Sequence, residues 1–470
     1  MPDSPGTTPD SRVVAHTGRW RTLALLGVAQ FMLIVDVTVV AIALPHMGAD
    51  LGLSRDALTW VASAYTLTFG GLMVLGGRVA DLIGPRRLVL AGLAVFTIAS
   101  LTAGIADGAA ILIVSRIAQG VGAAMLSPAA LSSVVRLFAG EERNKALGIW
   151  SAMGGAGGAV GVLLGGVLTG GPGWPWIFFV NIPVGAVILV LLIRMLPALP
   201  GVPVQERQGV DVLGAVLITG GTGLVIYALI GAGDRGWLAP VTVGLVVAGA
   251  ALYAAFVVWQ RRVRSPLMDV ELMTRRSVGS GTFVILMATA LMVAIFFLGS
   301  FYLQDAMGHS ALTTGLLFLP VAGATMLGAN LAGWVMARVG GRALALGGLL
   351  LAALGLAVPA LWAGTLSMVL GLSAAAAGIG SLFLVASATA LGQVEPEKSG
   401  VASGIVSTFH EFGASIGTAV VSSIAAASLM TGSGEGFGRA FGVAAMIALG
   451  AGLLATCWIP ARVRMSGTTD

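Results

Sequence analysis

Four ionisable residues lie deep inside apolar stretches of the chain: Asp36, Arg116, His410 and Glu411. A charge at mid-bilayer costs about 2.5–3.5 kcal/mol even on the lenient insertion scale, so such groups normally face a bundle interior or a wet cavity and have a partner. Burial favours the neutral form of a carboxylate and a nearby cation favours the charged form. An acid so placed is poised to take a proton from one side of a membrane and lose it to the other. Arg116 sits in Ile111 to Pro128, ILIVSRIAQGVGAAMLSP, followed one turn later by Gln119. The small residues Gly120, Gly122, Ala123 and Ala124 suit close helix contact rather than lipid, and weigh against an arginine that merely snorkels to the headgroups.

At ~1.5 Å per helical residue, Asp36 lies about 13 Å from Pro45 and Arg116 about 13 Å from Asp107, counted from the same side. Pairing of the two is therefore geometrically open. Glu411 comes about 18 Å in from Ser399 across a ~30 Å core, near the same plane, beside His410 and between Phe409 and Phe412. A static ion pair, or a carboxylate hydrogen-bonded to a kink, is the alternative for each acid.

The elements that position these residues follow from composition. Of 470 residues, 57% are hydrophobic and 10% are charged, against about a quarter charged in a soluble domain. This describes an all-α polytopic membrane protein. The net charge of +5 is scattered between apolar segments, as membrane topology requires, and nucleic-acid binding is set aside. Cys457 is the single cysteine, so an intrachain disulfide is excluded and no cysteine-based metal site is suggested. The first apolar run reaches Leu44 without a small-residue cleavage site, which predicts a membrane helix rather than a removable signal.

Apolar windows of helix length fall into groups of six, two and six, fourteen spans in all, each near the ~20 residues needed to cross. The boundaries are a tail at 1–19, a six-helix unit at 20–196, an inserted pair at 210–260, a second six-helix unit at 278–459 and a tail at 460–470. With cytoplasmic termini, only Arg55, Arg235 and Arg439 among the basic residues assigned to loops and span ends fall outside, a strong bias by the positive-inside rule. An internal repeat explains the grouping: Gly77 to Leu93 aligns without a gap on Gly333 to Leu349, matching Gly84 with Gly340, Arg86 with Arg342 and Gly92 with Gly348. The offset is 333 − 77 = 256. Parallel repeats of this kind are a transporter architecture with the substrate site between the halves.

Gly157, Gly161 and Gly165 recur every four residues in the fifth span, with Gly166 beside them, and form a smooth face for close packing that also serves to seal or hinge a path. Gly77, Asp81, Gly84, Arg86 and Arg87 make a charged turn between the second and third spans. Phe31, Tyr65, Phe69, Gln119, Phe296, Phe297, Asn330 and Phe409 are candidates for an adaptable apolar pocket with few polar anchors, although most membrane aromatics simply pack.

Together these motifs resemble the major facilitator superfamily, in its fourteen-helix drug:proton antiporter branch. The resemblance covers nearly the whole chain. It rests on Asp36 to Pro45, the Gly77 to Arg87 turn, Arg116-x-x-Gln119-Gly120, the fifth-span glycines, Trp174 to Pro183, Asp211 to Gly214, Tyr302 to Gln304, and Ser399 to Gly404. It implies a major facilitator fold of two six-helix halves plus two inserted helices, and export driven by the proton gradient through alternating access, with no other cofactor. It further implies proton coupling at Asp36 supported by Arg116, a turn that helps hold the outward-open state, and a supporting acid at Glu411. The chain departs from the pattern at Leu82 and Pro85, where basic residues are usual, at Val162, where proline is, and at Ala337, where the second copy of the turn would carry an acid.

The expected protein is a monomeric multi-pass exporter of amphiphilic drugs or antibiotics in a bacterial cytoplasmic membrane, with protons, substrate and lipid as its partners. A dedicated exporter of one host-made natural product is the nearest alternative, and a proton-coupled symporter the next. The longest internal loop, Arg261 to Ser277, carries no nucleophile, metal or nucleotide motif, and an enzyme is not expected.

Overall fold

In the computed structural model the described residues are 18–138, 140–197, 210–392, 394, 399–426, 429 and 434–459. The tail at 460–470 and nearly all of the tail at 1–19 lie outside them. Lipid offers no hydrogen bonds to a bare backbone, so chains this apolar fold as helices that satisfy every peptide group internally. The elements are α1 (Arg19–Leu51), α2 (Arg55–Ile83), α3 (Pro85–Gly104), α4 (Ala109–Leu137), α5 (Gly140–Gly170), α6 (Trp176–Phe179) and α7 (Asn181–Met195). They continue with α8 (Val212–Arg235), α9 (Pro240–Gln260), α10 (Val270–Thr274), α11 (Arg276–Phe301), α12 (Ala311–Leu361), α13 (Thr365–Leu391), α14 (Ser399–Ile424) and α15 (Gly434–Trp458). A π-helical turn, Tyr302–Ala306, ends α11, and α12 is broken at Gly340.

Among the described residues, 12 helical segments are long and apolar enough to cross a membrane, counting α6 with α7 as one and the two arms of α12 separately. Two further long helices, α5 and α14, complete the bundle. Helix α2 is central, with 67% of its most apolar window buried, whereas α9 has 17% buried and turns most of its surface outward. Helix α8 packs against α2 and α14, and carries α9 on its far side.

The offset of 256 recurs in three dimensions. Ser54 caps α2 by accepting from the Ala57 amide, and Ser310 caps α12 in the same way from Thr313. Gly84 ends α2 at φ 93, ψ 137 and Gly340 breaks α12 at φ 81, ψ 158, a left-handed backbone that L side chains rarely adopt. Gly92 and Gly122 face each other where α3 crosses α4; Gly348 and Gly378 do so where the second arm of α12 crosses α13. Each member of these glycine pairs would drive a Cβ into the other's carbonyl oxygen, so backbones approach there as only glycine permits.

Helices α1 to α7 meet α11 to α15 mainly where α5 crosses α12 and along the α2–α14 seam. Gly166 of α5 packs on Ala311, Leu312 and Gly315 of α12, while Gln304 donates to the Ile42 carbonyl of α1 at 3.0 Å. Along the α2–α14 seam, hydroxyls pair as Thr59 with Ser422 and Thr66 with Ser415, each at 2.5 Å. The seam continues to Val74 beside Gly404.

Candidate functional site

Asp36 and Arg116 form an ion pair through Oδ2 and Nη1 with 3% and 1% of each residue exposed. Helix α1 brings the carboxylate and α4 the guanidinium, and neutral groups from three further helices complete the shell. The second carboxylate oxygen, Oδ1, accepts from Gln119 Nε2 at 3.1 Å and from Asn181 Nδ2 at 3.3 Å. Both amides also donate to Ser100 Oγ on α3, at 2.9 and 3.4 Å. Arg116 donates from Nε to the Val61 carbonyl of α2 at 3.0 Å and from Nη1 to Gln119 Oε1 at 2.9 Å. Its guanidinium carbon lies 4.5 Å from the centroid of the Tyr65 ring, a cation–π placement that desolvation strengthens. Tyr65 in turn donates to the Leu33 carbonyl at 3.3 Å. Buried charge of this kind persists only when paired and hydrogen-bonded, and here both carboxylate oxygens, the arginine's Nε and Nη1 and both amide NH2 groups are used.

Arg116 also forms part of the wall of a cavity of about 50 Å³ between α1, α2 and α4 on one side and α11 and α14 on the other. Phe296 and Phe297 face it across from Thr38, Ala41 and Thr66. Asp36 does not line it; the carboxylate stands behind the arginine. The volume suits a few waters, well short of the roughly 300–1,000 Å³ of a pocket for a drug-sized molecule.

Of the pocket candidates, then, Phe296 and Phe297 line this cavity. Tyr65 and Gln119 belong instead to the ion-pair shell, and Phe69 packs on Tyr65 in a core built by α1 to α5 and α7, with ring centroids 5.8 Å apart. Phe31 leans towards Gly157 on α5, and Phe409 packs against Phe412. Asn330 is exposed and donates to the Met326 carbonyl of its own helix at 2.8 Å.

Glu411 takes a different level from the one expected. Its Cβ lies against Gly70, five residues beyond Tyr65 and nine beyond Val61 on α2, hence roughly 8 to 13 Å along the helix from the arginine's partners. Its Oε1 is 3.2 Å from Nδ1 of the half-exposed His410. The two acids thus occupy separate positions, on opposite sides of Tyr65 along α2. Counting from Ser399 assumes a straight, upright helix; the neighbour chosen by packing sets the true depth.

Asp81 accepts from Arg136 of α4 at 3.2 Å with both side chains well exposed, a pair of small worth in itself. Arg86 donates to the Ile193 carbonyl at 2.6 Å, Arg87 is exposed, and Gly77 has only ordinary contact with Pro128. It is Gly76 whose Cβ would meet a backbone carbonyl, that of Ala124. These named contacts stay within the first seven helices, α1 to α7.

The glycines of α5 divide by partner. Gly157, Gly161 and Gly165 pack on Ile34, Thr38 and Ile42 of α1, whereas Gly166 crosses to α12, where a Cβ would meet Ala311 O at 2.8 Å and Leu312 Cα at 3.1 Å. Both are backbone atoms and cannot swing aside. Gly166→Val is therefore expected to disfavour this closed crossing by an overpacking cost of about 1–3 kcal/mol, a population change of about five- to 150-fold. Substrate flux in membrane vesicles should fall accordingly at unchanged expression. Gly158→Val, where a Cβ meets nothing within 4 Å, should leave it intact.

Asn181 and Ser100 are missed by sequence reasoning as site residues: Asn181 donates to the second carboxylate oxygen, and Ser100 accepts from both amides that do so. Asn181 does stand in the Trp174 to Pro183 stretch, but its type and position alone assign it no partner.

Comparison with known proteins accords with this fold. The chain is 36% identical over 423 residues to a puromycin resistance protein of Streptomyces alboniger, covering 86% of this chain and 82% of that one. It is 36% identical over 436 residues to a cephamycin export protein of Amycolatopsis lactamdurans, covering 91% and 88%. Its fold matches the inward-facing crystal structure of a bacterial homologue of the human lysosomal transporter Spinster with a TM-score of 0.67 at 16% identity, over 94% of this chain and 98% of that one. With the Major Facilitator Superfamily model matching residues 26–418, this multi-pass membrane protein belongs to the major facilitator superfamily of transporters.

Proposed function

We propose that the chain is a proton-coupled antiporter that exports amphiphilic organic compounds, drugs or antibiotics among them, from the bacterial cytoplasm by alternating access. The observation that carries this reading is the buried Asp36–Arg116 pair, with its cation on the wall of a cavity between the two six-helix stretches and its carboxylate behind. Protonation of Asp36 removes the negative partner of Arg116 and leaves the cation to the cavity. Loss of that proton restores the pair. Binding on one side and release on the other then become alternatives, which is what exchange of a proton for a substrate requires.

In this reading α5 and α14 also cross the bilayer, giving 12 + 2 = 14 spans arranged as two six-helix halves with α8 and α9 inserted between them. Both termini are cytoplasmic, a single copy is sufficient because one chain builds both walls of the cavity, and the proton gradient is the only energy source. A dedicated exporter of one natural product is the second reading. It is favoured by relatives named for single compounds, including a tetracenomycin C resistance and export protein of Streptomyces glaucescens, 32% identical over 429 residues.

Inside-out vesicles containing the protein should accumulate amphiphilic antibiotics when a proton gradient, acid inside, is imposed, and release them when it is collapsed. Accumulation across a structurally diverse panel supports the broad exporter, and accumulation of one compound class the dedicated one. Uptake that requires the opposite gradient would replace antiport with symport.

A further inference from the structure

Of the three arginines that the positive-inside rule assigns to the outer face, two have partners within the protein. Arg55 is buried between α2, α8 and α14, bonded to Asp234 at 2.5 Å and Asp56 at 2.7 Å. Arg235 lies over the Tyr227 ring at 5.3 Å. Arg439, at the start of α15, has neither a hydrogen bond nor an ion pair among the described residues, and it stands on the rim of a second cavity.

That cavity is a groove of about 690 Å³ at the Arg55 end of the bundle, between the last turns of α8 and α14 and the first turns of α15. Its walls are apolar, with Val420, Ile424 and Val443 on two helices and the half-exposed Trp237 at the mouth. Ser423 also lines it, 3% exposed, with a hydroxyl that finds no partner among the described residues. An indole at the mouth suits the boundary between headgroups and acyl chains. The remaining chemistry is a cation without a counter-charge among the described residues, above a buried hydroxyl and an apolar trough.

We propose that this groove binds an anionic phospholipid of the adjacent leaflet, its phosphate on Arg439 and its acyl chain along Val420, Ile424 and Val443. A phosphodiester gives Arg439 an anionic partner that it has nowhere among the described residues, and the acyl chain covers apolar surface that no side chain of the described residues fills. The occupant sits beside the seam that Arg55 holds, since Gly233, on the groove wall, packs against both Ser423 and Arg55. The site is separate from the Asp36 cavity, and the lipid preference that tests it does not depend on transport.

The test uses the purified full-length protein in nanodiscs containing brominated phosphatidylglycerol or brominated phosphatidylcholine. Trp237's share of the fluorescence is isolated as the difference between each protein and its Trp237→Phe counterpart. Brominated phosphatidylglycerol should quench that share at about fivefold lower mole fraction than phosphatidylcholine, the preference one arginine near a charged interface supplies. Arg439→Gln should abolish the preference and Arg439→Lys should keep it, each in protein of unchanged helical content and monodispersity. Equal quenching by the two lipids in the unsubstituted protein would overturn the proposal, as would a preference that survives Arg439→Gln. Displacement of both lipids from Trp237 by a transported compound would assign the groove to substrate instead.

Discussion

Asp36→Asn is expected to abolish gradient-driven accumulation in inside-out vesicles while leaving a folded protein that still exchanges substrate down its concentration gradient. The amide can keep an oxygen towards Arg116, and a flip of Asn181 offers its oxygen to the new NH2, while Gln119, whose oxygen accepts from Arg116, turns its own NH2 to Ser100 alone. What it cannot do is gain and lose a proton. Arg116 loses its counter-charge in the variant, but a wall of a cavity large enough for a few waters offers it hydration that Asp36, set behind it, does not share. Exchange without a gradient separates coupling from folding: a variant that exchanges but cannot accumulate has lost coupling alone. A variant that accumulates as well as the unsubstituted protein would remove Asp36 from the coupling path. Glu411 would be next in line, with His410 as its partner.

The asymmetry between these two acids explains what could and could not be read before the structure. Asp36 and Arg116 were recognisable because a charge within an apolar run of some 20 residues is costly, and their matched depths left pairing open. Glu411 was equally visible but misplaced, because its level is set by contact with Gly70 rather than by its distance from Ser399. The Val61 carbonyl could not be anticipated at all: every residue has one, and only the crossing of α2 and α4 decides which is offered to Arg116. Gln119 and Tyr65 suit a substrate pocket by type, since an amide and a phenol are useful there; the same properties make them suitable to hold an ion pair. The repeat was legible for a stronger reason. A serine cap and a glycine in a left-handed backbone are local requirements, and they recur at Ser54 and Ser310 and at Gly84 and Gly340. Which glycine of α5 faces which neighbour was not legible, since Gly165 and Gly166 are adjacent in the chain and pack against different helices.

Arg116→Met should be far more damaging to stability than Asp36→Asn, and the double variant should recover much of the loss. Methionine fills a similar volume and removes the cation, leaving a carboxylate with only neutral donors in a site where Asp36 is 3% exposed. Breaking a buried pair from one side typically costs about 3–5 kcal/mol, whereas replacing both charges by neutral groups is often nearly neutral. In the double variant the amide introduced on α1 joins Gln119, Asn181 and Ser100 in an uncharged network of groups that can donate and accept in turn. Thermal unfolding in detergent should therefore show a large fall in midpoint for Arg116→Met and a substantial recovery for Asp36→Asn/Arg116→Met, with neither protein accumulating substrate. A double variant as unstable as Arg116→Met would mean that the arginine stabilises the bundle through the Val61 carbonyl and the Tyr65 ring rather than by balancing Asp36. Recovery of stability without recovery of transport would instead show that the pair is kept for exchange, because an uncharged core would hold these helices together as well.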